Sequence, residues 1–256
     1  MLNSSQVNYR IFFFNLQYFL GFDGSRKDYI KNFHRLFMPS RNFKRRLLKQ
    51  LGDFLEKEKP DLCCFVEIEK NDFFAEIQQM LAKYPQNDIQ NKYHPNGFLQ
   101  NFKVFRAKGN GFFAKDVDKV SHHYFSCGTK RLIYEIALPN GVTVFMAHFS
   151  LLARIRKKQL RDMAKLVSKK ENVVVCGDFN IFKGFSELEE FLQATKMRIL
   201  NRPDEHTHPR IKPKKPLSIF LVSPEISAPN IRVIKSLPIS DHLPVMLDFV
   251  APEAHI

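Results

Sequence analysis

A chain of 256 residues, 44% of them hydrophobic and 26 of them phenylalanine, can bury one sizeable core, and we expect one domain over residues 1–256. A net charge of +14 favours phosphate-rich partners such as nucleic acid, anionic membrane or polyphosphorylated small molecules, although solubility alone also accounts for it. No apolar run approaches the length of a membrane span, and the first ten residues lack the basic and apolar regions of a signal peptide, so we expect neither.

The cysteines indicate the cellular compartment. Cys63, Cys64, Cys127 and Cys176 lack the spacing of metal ligands, and three of them lie inside apolar runs. Buried free thiols are typical of a reducing environment. We therefore expect a cytoplasmic protein, and we expect it to be a monomer.

Short apolar and β-branched runs recur along the chain and predict strands. In chain order the runs are Arg10–Phe14, Asp61–Val66, Gly111–Ala114, Arg131–Leu138, Val142–Ala147, Val173–Cys176, Ile219–Val222 and Val245–Phe249.

Helical patterns lie between several of these strands. Apolar residues at helical spacing predict helices around residues 47–55 and 152–167, and the long basic region 21–46 predicts an extra helical insertion near a site. Pro139-Asn140-Gly141 predicts the turn of a hairpin. Strands that alternate loosely with helices favour a layered α/β sandwich.

Polar side chains follow or end the apolar runs. Asp178 and Asn180 place a carboxylate and a carboxamide two residues apart, and such a pair can orient a water and hold a phosphate oxygen. Asp241 and His242 place an acid beside an imidazole, which suits acid–base chemistry. Taken alone, each of these residues more often caps a strand or packs in a core. Together they predict one rim of a sheet. They are Asn15, Glu67, His148, Asp178, Asn180, Asp241 and His242.

With these motifs the sequence resembles the endonuclease/exonuclease/phosphatase superfamily, the metal-dependent phosphoesterases that share a fold with pancreatic deoxyribonuclease. The resemblance runs from about Arg10 to Phe249 and implies an α/β fold, a four-layer α/β sandwich with two stacked, mostly antiparallel sheets flanked by helices. It rests on Asn15-Leu16-Gln17, Pro60-Asp61 through Glu67, Gly109-Asn110-Gly111-Phe112, Ala147-His148-Phe149-Ser150, Gly177-Asp178-Phe179-Asn180 and Ser240-Asp241-His242.

The resemblance also implies roles for the metal-binding and catalytic residues. Glu67 would bind Mg²⁺ or Mn²⁺ with help from Asn15 and Asp241, since hard cations prefer oxygen ligands. Asp178 would orient or deprotonate the attacking water, and Asn180 would donate a hydrogen bond to a phosphate oxygen. The remaining catalytic residues would be His148, His242 and Asp241; the two histidines would hold the phosphate, and His148 is the better candidate for assisting the leaving group. Substrate would contact Asn110, Arg154, Lys212, Lys214 and Lys215.

One position departs from the family pattern. Ser218 stands where the family usually carries an aspartate that pairs with the histidine of Ser-Asp-His. A serine accepts a hydrogen bond from imidazole but carries no charge that favours imidazolium. The enzyme is then slow, uses another acid such as Asp204 or Glu205, or is inactive.

Three functions remain open at this stage. The first is a divalent-metal-dependent phosphoesterase that hydrolyses a phosphodiester, with nucleic acid slightly favoured by basic clusters at 41–46, 154–158 and 210–215. The second is a phosphoesterase that acts on a phospholipid or phosphoinositide head group, because an anionic lipid exploits the same charge. The third, motivated by Ser218, is a non-catalytic binding module that keeps the fold.

Overall fold

The computed structural model describes residues 8–37, 39–139 and 141–250, which form two six-stranded sheets and six α-helices. The strands are β1 (Asn8–Asn15), β2 (Leu62–Glu69), β3 (Gln86–Asn91), β4 (Lys108–Ala114), β5 (Lys119–Tyr124), β6 (Leu132–Ala137), β7 (Thr143–His148), β8 (Val173–Asp178), β9 (Arg198–Ile199), β10 (Ser218–Val222), β11 (Ser227–Val233) and β12 (Val245–Val250). The helices are α1 (Arg26–Lys31), α2 (Arg41–Glu58), α3 (Asp72–Met80), α4 (Lys103–Arg106), α5 (Ala153–Val167) and α6 (Glu189–Thr195).

Both sheets are mixed but mostly antiparallel. The first has the strand order β11-β12-β1-β2-β4-β3, and the second has the order β5-β6-β7-β8-β10-β9. Among the described strands, only β1 with β2 and β7 with β8 pair in parallel. The long connections between these parallel partners contain α2 and α5, as a crossover between parallel strands requires.

Side-chain alternation along β1 shows how the layers pack. Ile11 and Phe13 enter the core between the two sheets, whereas Phe12 and Phe14 enter the core beneath the helices of the first sheet. Successive residues of a strand point to opposite faces, so a run that is apolar at every position is buried on both faces. This explains the continuous phenylalanine run of β1.

The helices complete a four-layer sandwich. The apolar stripe of α2, which includes Leu47, Leu51 and Leu55, covers the first sheet, and Leu160 and Met163 of α5 cover the second. The predicted fold class and the predicted helices around residues 47–55 and 152–167 are confirmed. Three of the four cysteines are buried free thiols, as predicted, and Cys127 is partly exposed.

Polar edge elements escaped the sequence prediction. Strand β3 buries only Ile89, and β5 contains no fully buried residue, so neither shows an apolar run. The insertion 21–46 contains α1 and a 3₁₀ turn at Phe33–Leu36, and its last residues begin α2. The predicted hairpin turn includes Asn140, which lies outside the described residues, as do residues 1–7 and 251–256 at the ends of the predicted domain. No described helix is both long enough and apolar enough to cross a membrane.

Candidate active site

One edge of the sandwich, called the site edge below, collects the polar strand ends. His148 at the end of β7 lies opposite Asp178 at the end of the parallel strand β8, and Ser218 at the start of antiparallel β10 also lies opposite Asp178. From the other sheet, the Asn15 side chain at the end of β1 reaches Asp178. Ends of both sheets therefore meet at a single site.

Asp178 lies at the centre of this site. Asn15 Nδ2 donates to Asp178 Oδ2 over 2.9 Å, and the same oxygen lies 3.3 Å from His148 Nε2 and 3.7 Å from His242 Nε2. Burial alone would raise the pKa of the Asp178 carboxyl, but His242, His148 and Lys130 outweigh burial and hold this pKa well below its usual range. Asp178 is therefore a fixed anion inside the protein.

Glu67 enters the site through a backbone irregularity. The pairing of β2 with β4 shifts register around Glu67, whose φ of 56° is unusual for a non-glycine residue, and its N–H donates to Asn110 Oδ1 over 3.3 Å. Its Oε1 lies 3.4 Å from Lys92 Nζ and 3.9 Å from His148 Nδ1. Burial opposes ionisation, but Lys92, His148 and Lys130 bring the pKa of Glu67 to about 2.

Two lysines that the sequence analysis missed complete the charge balance. Lys92 is buried, contacts the hydroxyl of Tyr18 and has its pKa lowered by burial to about 8. Lys130 contacts His148 Nε2, and burial lowers the pKa of Lys130 although Glu67 and Asp178 oppose this effect. Each lysine lies on a connection between polar or short strands, where no apolar run marks the position.

His148 is a neutral imidazole in this setting. Burial and the neighbouring Lys130 lower the pKa of His148 to about 4, although Asp178 and Glu67 raise it. Its Nδ1 is buried and has no hydrogen-bond partner among the described residues. A buried polar atom without a partner costs stability, so this atom is a candidate contact for a ligand of the site.

Asn180 sits on the turn after β8 with a positive φ of 52°. Its N–H donates to Asp178 Oδ1 over 3.3 Å, and its side-chain Nδ2 donates to the Phe149 carbonyl over 3.0 Å. A carboxamide nitrogen carries two hydrogens, so one donor is left for a phosphate oxygen.

Asp241 belongs to a second group of potential ligands. It accepts a hydrogen bond from the Tyr29 hydroxyl over 2.8 Å, and its Oδ2 lies 3.6 Å from His208 Nε2. Ligand atoms of His208, Asp241 and His242 all lie within 4.8 Å of one another. His208 and Tyr29 were missed as individual residues, because each lies on a long connection whose path the sequence does not show.

The departure at position 218 persists in three dimensions. Ser218 Oγ lies 3.4 Å from His242 Nδ1, at the long end of the hydrogen-bond range, and no described carboxylate contacts that nitrogen. Of the two acids considered as replacements, Asp204 is exposed beside Arg202, and one oxygen of Glu205 has no hydrogen-bond partner within the described ranges.

The residues predicted to contact substrate are distributed unevenly. Asn110 is buried in the site beside Glu67, whereas Arg154 is exposed in the first turn of α5. Lys212 and Lys214 are exposed on the connection before β10 and form no ion pair among the described residues. The Lys215 ammonium donates to the Phe182 carbonyl over 2.7 Å, which holds this connection in place.

Comparisons with known proteins agree with the fold. The chain matches the Endonuclease/Exonuclease/phosphatase family model over residues 14–242, and it belongs to this family. Members of this family are generally hydrolases that act on phosphoester bonds and use divalent metals. No curated protein matches the sequence.

Solved structures show the same architecture at low sequence identity. The human Nocturnin catalytic domain with bound sulfate anion is 15% identical with a TM-score of 0.68, over 96% of this chain and 94% of that one. An endonuclease/exonuclease/phosphatase from Bacteroides vulgatus is 13% identical with a TM-score of 0.66, over 96% and 100%. TDP2 from Caenorhabditis elegans is 14% identical with a TM-score of 0.63, over 96% and 75%. These likenesses concern the fold alone.

Proposed function

We propose that the protein is a divalent-metal-dependent phosphoesterase that hydrolyses a phosphodiester. The observation that carries this proposal is the buried Asp178 carboxylate, which Asn15, His148 and His242 surround at 2.9 to 3.7 Å. A fixed anion among hydrogen-bond donors is suited to holding a nucleophilic water next to a bound phosphate.

Glu67 fits a Mg²⁺ or Mn²⁺ ion, and Asn15, which lies opposite Val66 on the neighbouring strand, is a further candidate ligand. The Glu67 carboxylate remains ionised, is 20% exposed and offers hard oxygen donors. The unpartnered Nδ1 of His148 faces the same carboxylate. A bound divalent cation would neutralise charge on the phosphate.

The other side chains of the site have separate roles in the proposed hydrolysis. Because its pKa lies well below the usual range, Asp178 is a weak base, and we assign it to orienting the water. Asn180 would donate its second amide hydrogen to a phosphate oxygen, and His242 would hold the phosphate from the other side. Neutral His148 would act as a hydrogen-bond partner, while the Lys130 ammonium would supply positive charge near the leaving group.

Asp241 extends this assignment. Asp241 lies close to His208 and His242, so these three residues together offer both nitrogen and oxygen ligands. Borderline transition metals prefer such a mixed set of ligands. We therefore assign Asp241 to a second candidate cation position instead of the Glu67 position. The charge of +14 by itself slightly favours nucleic acid as the carrier of the phosphodiester.

A non-catalytic binding module is the second candidate function, and the long contact between Ser218 and His242 favours it. Turnover of bis-p-nitrophenyl phosphate with Mg²⁺ or Mn²⁺, with and without chelator, separates the two functions. Chelator-sensitive turnover supports the phosphoesterase, and metal binding without turnover supports the binding module.

Two variants test the division of roles. Asp178→Asn should abolish turnover and leave Mn²⁺ affinity largely intact, whereas Glu67→Gln should weaken Mn²⁺ binding itself in a calorimetric titration. Glu69→Gln is the matched control, because Glu69 ends the same strand but pairs with Lys44 and Lys108. Equal losses of Mn²⁺ affinity in the first two variants would show that the roles are divided wrongly.

A further inference from the structure

Exposed apolar side chains are concentrated at the site edge. Twelve large hydrophobic residues of the described chain are exposed, and all except Met80 lie on connections that leave this edge. The eleven, called the apolar rim below, are Ile30, Phe33, Leu36, Phe37, Phe98, Phe102, Val104, Leu151, Leu152, Phe182 and Ile211.

Strand directions place the apolar rim. The strands β1, β3, β7 and β8 all end at the site edge, and β10 begins there, so the segments that follow or precede these ends share one side of the sandwich. Met80 ends α3, which starts at the site edge after β2 and runs to the opposite edge. The rim segments are residues 16–40, 92–107, 149–152, 179–188 and 200–217.

Positive charge is concentrated on the same side. The rim segments, together with the other site-edge connections 70–71, 125–131 and 234–244, contain seventeen Lys and Arg, including Lys92 and Lys130 of the site, but six Asp and Glu. This excess of eleven accounts for most of the net charge of +14. An apolar surface surrounded by cations fits the boundary between the acyl chains and the anionic head groups of a bilayer.

We propose that the apolar rim docks on an anionic bilayer and presents the site to the phosphodiester of a lipid head group. This inference rests on the proposed phosphoesterase function and identifies its substrate class. The rim segments leave the same edge of the sandwich as the site, so docking would bring a head group to Asp178 and Glu67 while the lipid stays in the membrane.

The composition of the rim favours lipid over nucleic acid. Six of its eleven residues are aliphatic and have no ring face for a base to stack on. Four of its five aromatic residues pack edge to face in two pairs, Phe33 with Phe37 and Phe98 with Phe102, each with ring centroids 5.3 Å apart. A second copy of the chain is disfavoured as the partner because its rim would carry the same positive charge.

Vesicle co-sedimentation tests the docking surface. Phe98→Ser and Leu152→Ser, 73% and 64% exposed in the wild type, should each weaken binding to phosphatidylcholine/phosphatidylserine vesicles roughly tenfold. Leu152 caps the amino end of α5, a position that serine suits, so this variant should fold. Met80→Ser is the matched control at the opposite edge and should bind like the wild type. Vesicles of phosphatidylcholine alone should bind less protein.

Three results would overturn the docking proposal. The first is that both rim variants bind vesicles as tightly as the wild type does. The second is a loss of oligonucleotide binding in these variants with vesicle binding intact, which would assign the rim to nucleic acid. The third is a wild-type dimer that the variants abolish in analytical ultracentrifugation, which would assign the rim to a second copy.

Hydrolysis assays keep this proposal separate from the proposed function. Both rim variants should turn over soluble bis-p-nitrophenyl phosphate at the wild-type rate and lose activity on sphingomyelin or phosphatidylinositol in anionic vesicles. Vesicle binding without turnover of any substrate would reject the phosphoesterase and keep the docking surface. Turnover of the soluble ester without any lipid hydrolysis would reject the lipid substrate.

Discussion

Ser218 determines how firmly His242 is held. The two side chains are buried, and the contact between Ser218 Oγ and His242 Nδ1 is 3.4 Å long. A carboxylate at position 218 would form a charge-assisted hydrogen bond, which is shorter and stronger than a neutral one. The present serine leaves the imidazole less firmly oriented.

We expect Ser218→Asp to raise the turnover of a soluble phosphodiester. The new carboxylate would favour the protonated imidazole as negative charge develops on the phosphate, so the gain should appear mainly in kcat and little in KM. Ser218→Asn is the matched control, because it has nearly the same shape without the charge. A well-folded Ser218→Asp protein with unchanged or lower kcat, or an equal gain in Ser218→Asn, would contradict this role.

Site residues differed in how well the sequence predicted them. Asn15, His148 and Asp178 each end a strand whose apolar run is visible in the sequence, and the structure brings the three together. Lys92 and Lys130 have no such signal, because each follows a polar or irregular stretch and reaches the site only through tertiary packing. Charges that balance a buried site depend on the fold and not on local pattern.

At the scale of elements, the Tyr29 side chain ties the insertion between β1 and α2 to the site. Tyr29 of α1 stacks on Phe22 with ring centroids 4.4 Å apart, accepts a hydrogen bond from Gln17 Nε2 over 2.8 Å and donates to Asp241. The insertion therefore holds Asp241 from outside the two sheets.

We expect Tyr29→Phe to lower the free energy of unfolding by about 2 kcal/mol, since two hydrogen bonds of about 1 kcal/mol each are lost, and to reduce kcat several-fold. The phenylalanine keeps the stack on Phe22, so any loss of stability or activity is due to the missing hydroxyl alone. Urea denaturation and turnover of the soluble ester measure the two effects. Tyr93→Phe is the control, because the Tyr93 hydroxyl forms no hydrogen bond with the described residues. Identical behaviour of the two variants would show that the contact with Asp241 is unimportant.

Secondary structure was predictable where strands lie in the interior. Strand β8 buries all six of its residues, and its apolar run was recognised, whereas the edge strands β3 and β5 are mostly polar and were not. Burial on two faces produces a continuous apolar signal, and an edge strand lacks this signal.

At the scale of the whole molecule, charge is unevenly distributed between the two edges. The sequence provides the net charge of +14, but only the strand order shows that most of the excess lies at the site edge. Local patterns along the chain do not reveal which connections share an edge, because that depends on the pairing of strands far apart in sequence.

We expect the binding of a single-stranded oligonucleotide, used as a soluble polyanion, to weaken steeply between roughly 50 and 200 mM salt, because each phosphate contact releases counterions. Turnover of bis-p-nitrophenyl phosphate, a single anion, should change little over the same range. Vesicle binding should retain an apolar component at the higher salt concentration.

A matched pair of lysines tests which edge of the protein binds the oligonucleotide. Lys214 at the site edge and Lys119 at the opposite edge are both exposed, and neither forms an ion pair among the described residues. Lys214→Gln should weaken oligonucleotide binding and reduce its salt dependence by roughly one phosphate contact, whereas Lys119→Gln should do neither. Fluorescence anisotropy at several salt concentrations measures both quantities. A flat salt response of the wild type, or equal effects of the two variants, would mean that the charge excess at the site edge does not form a binding surface.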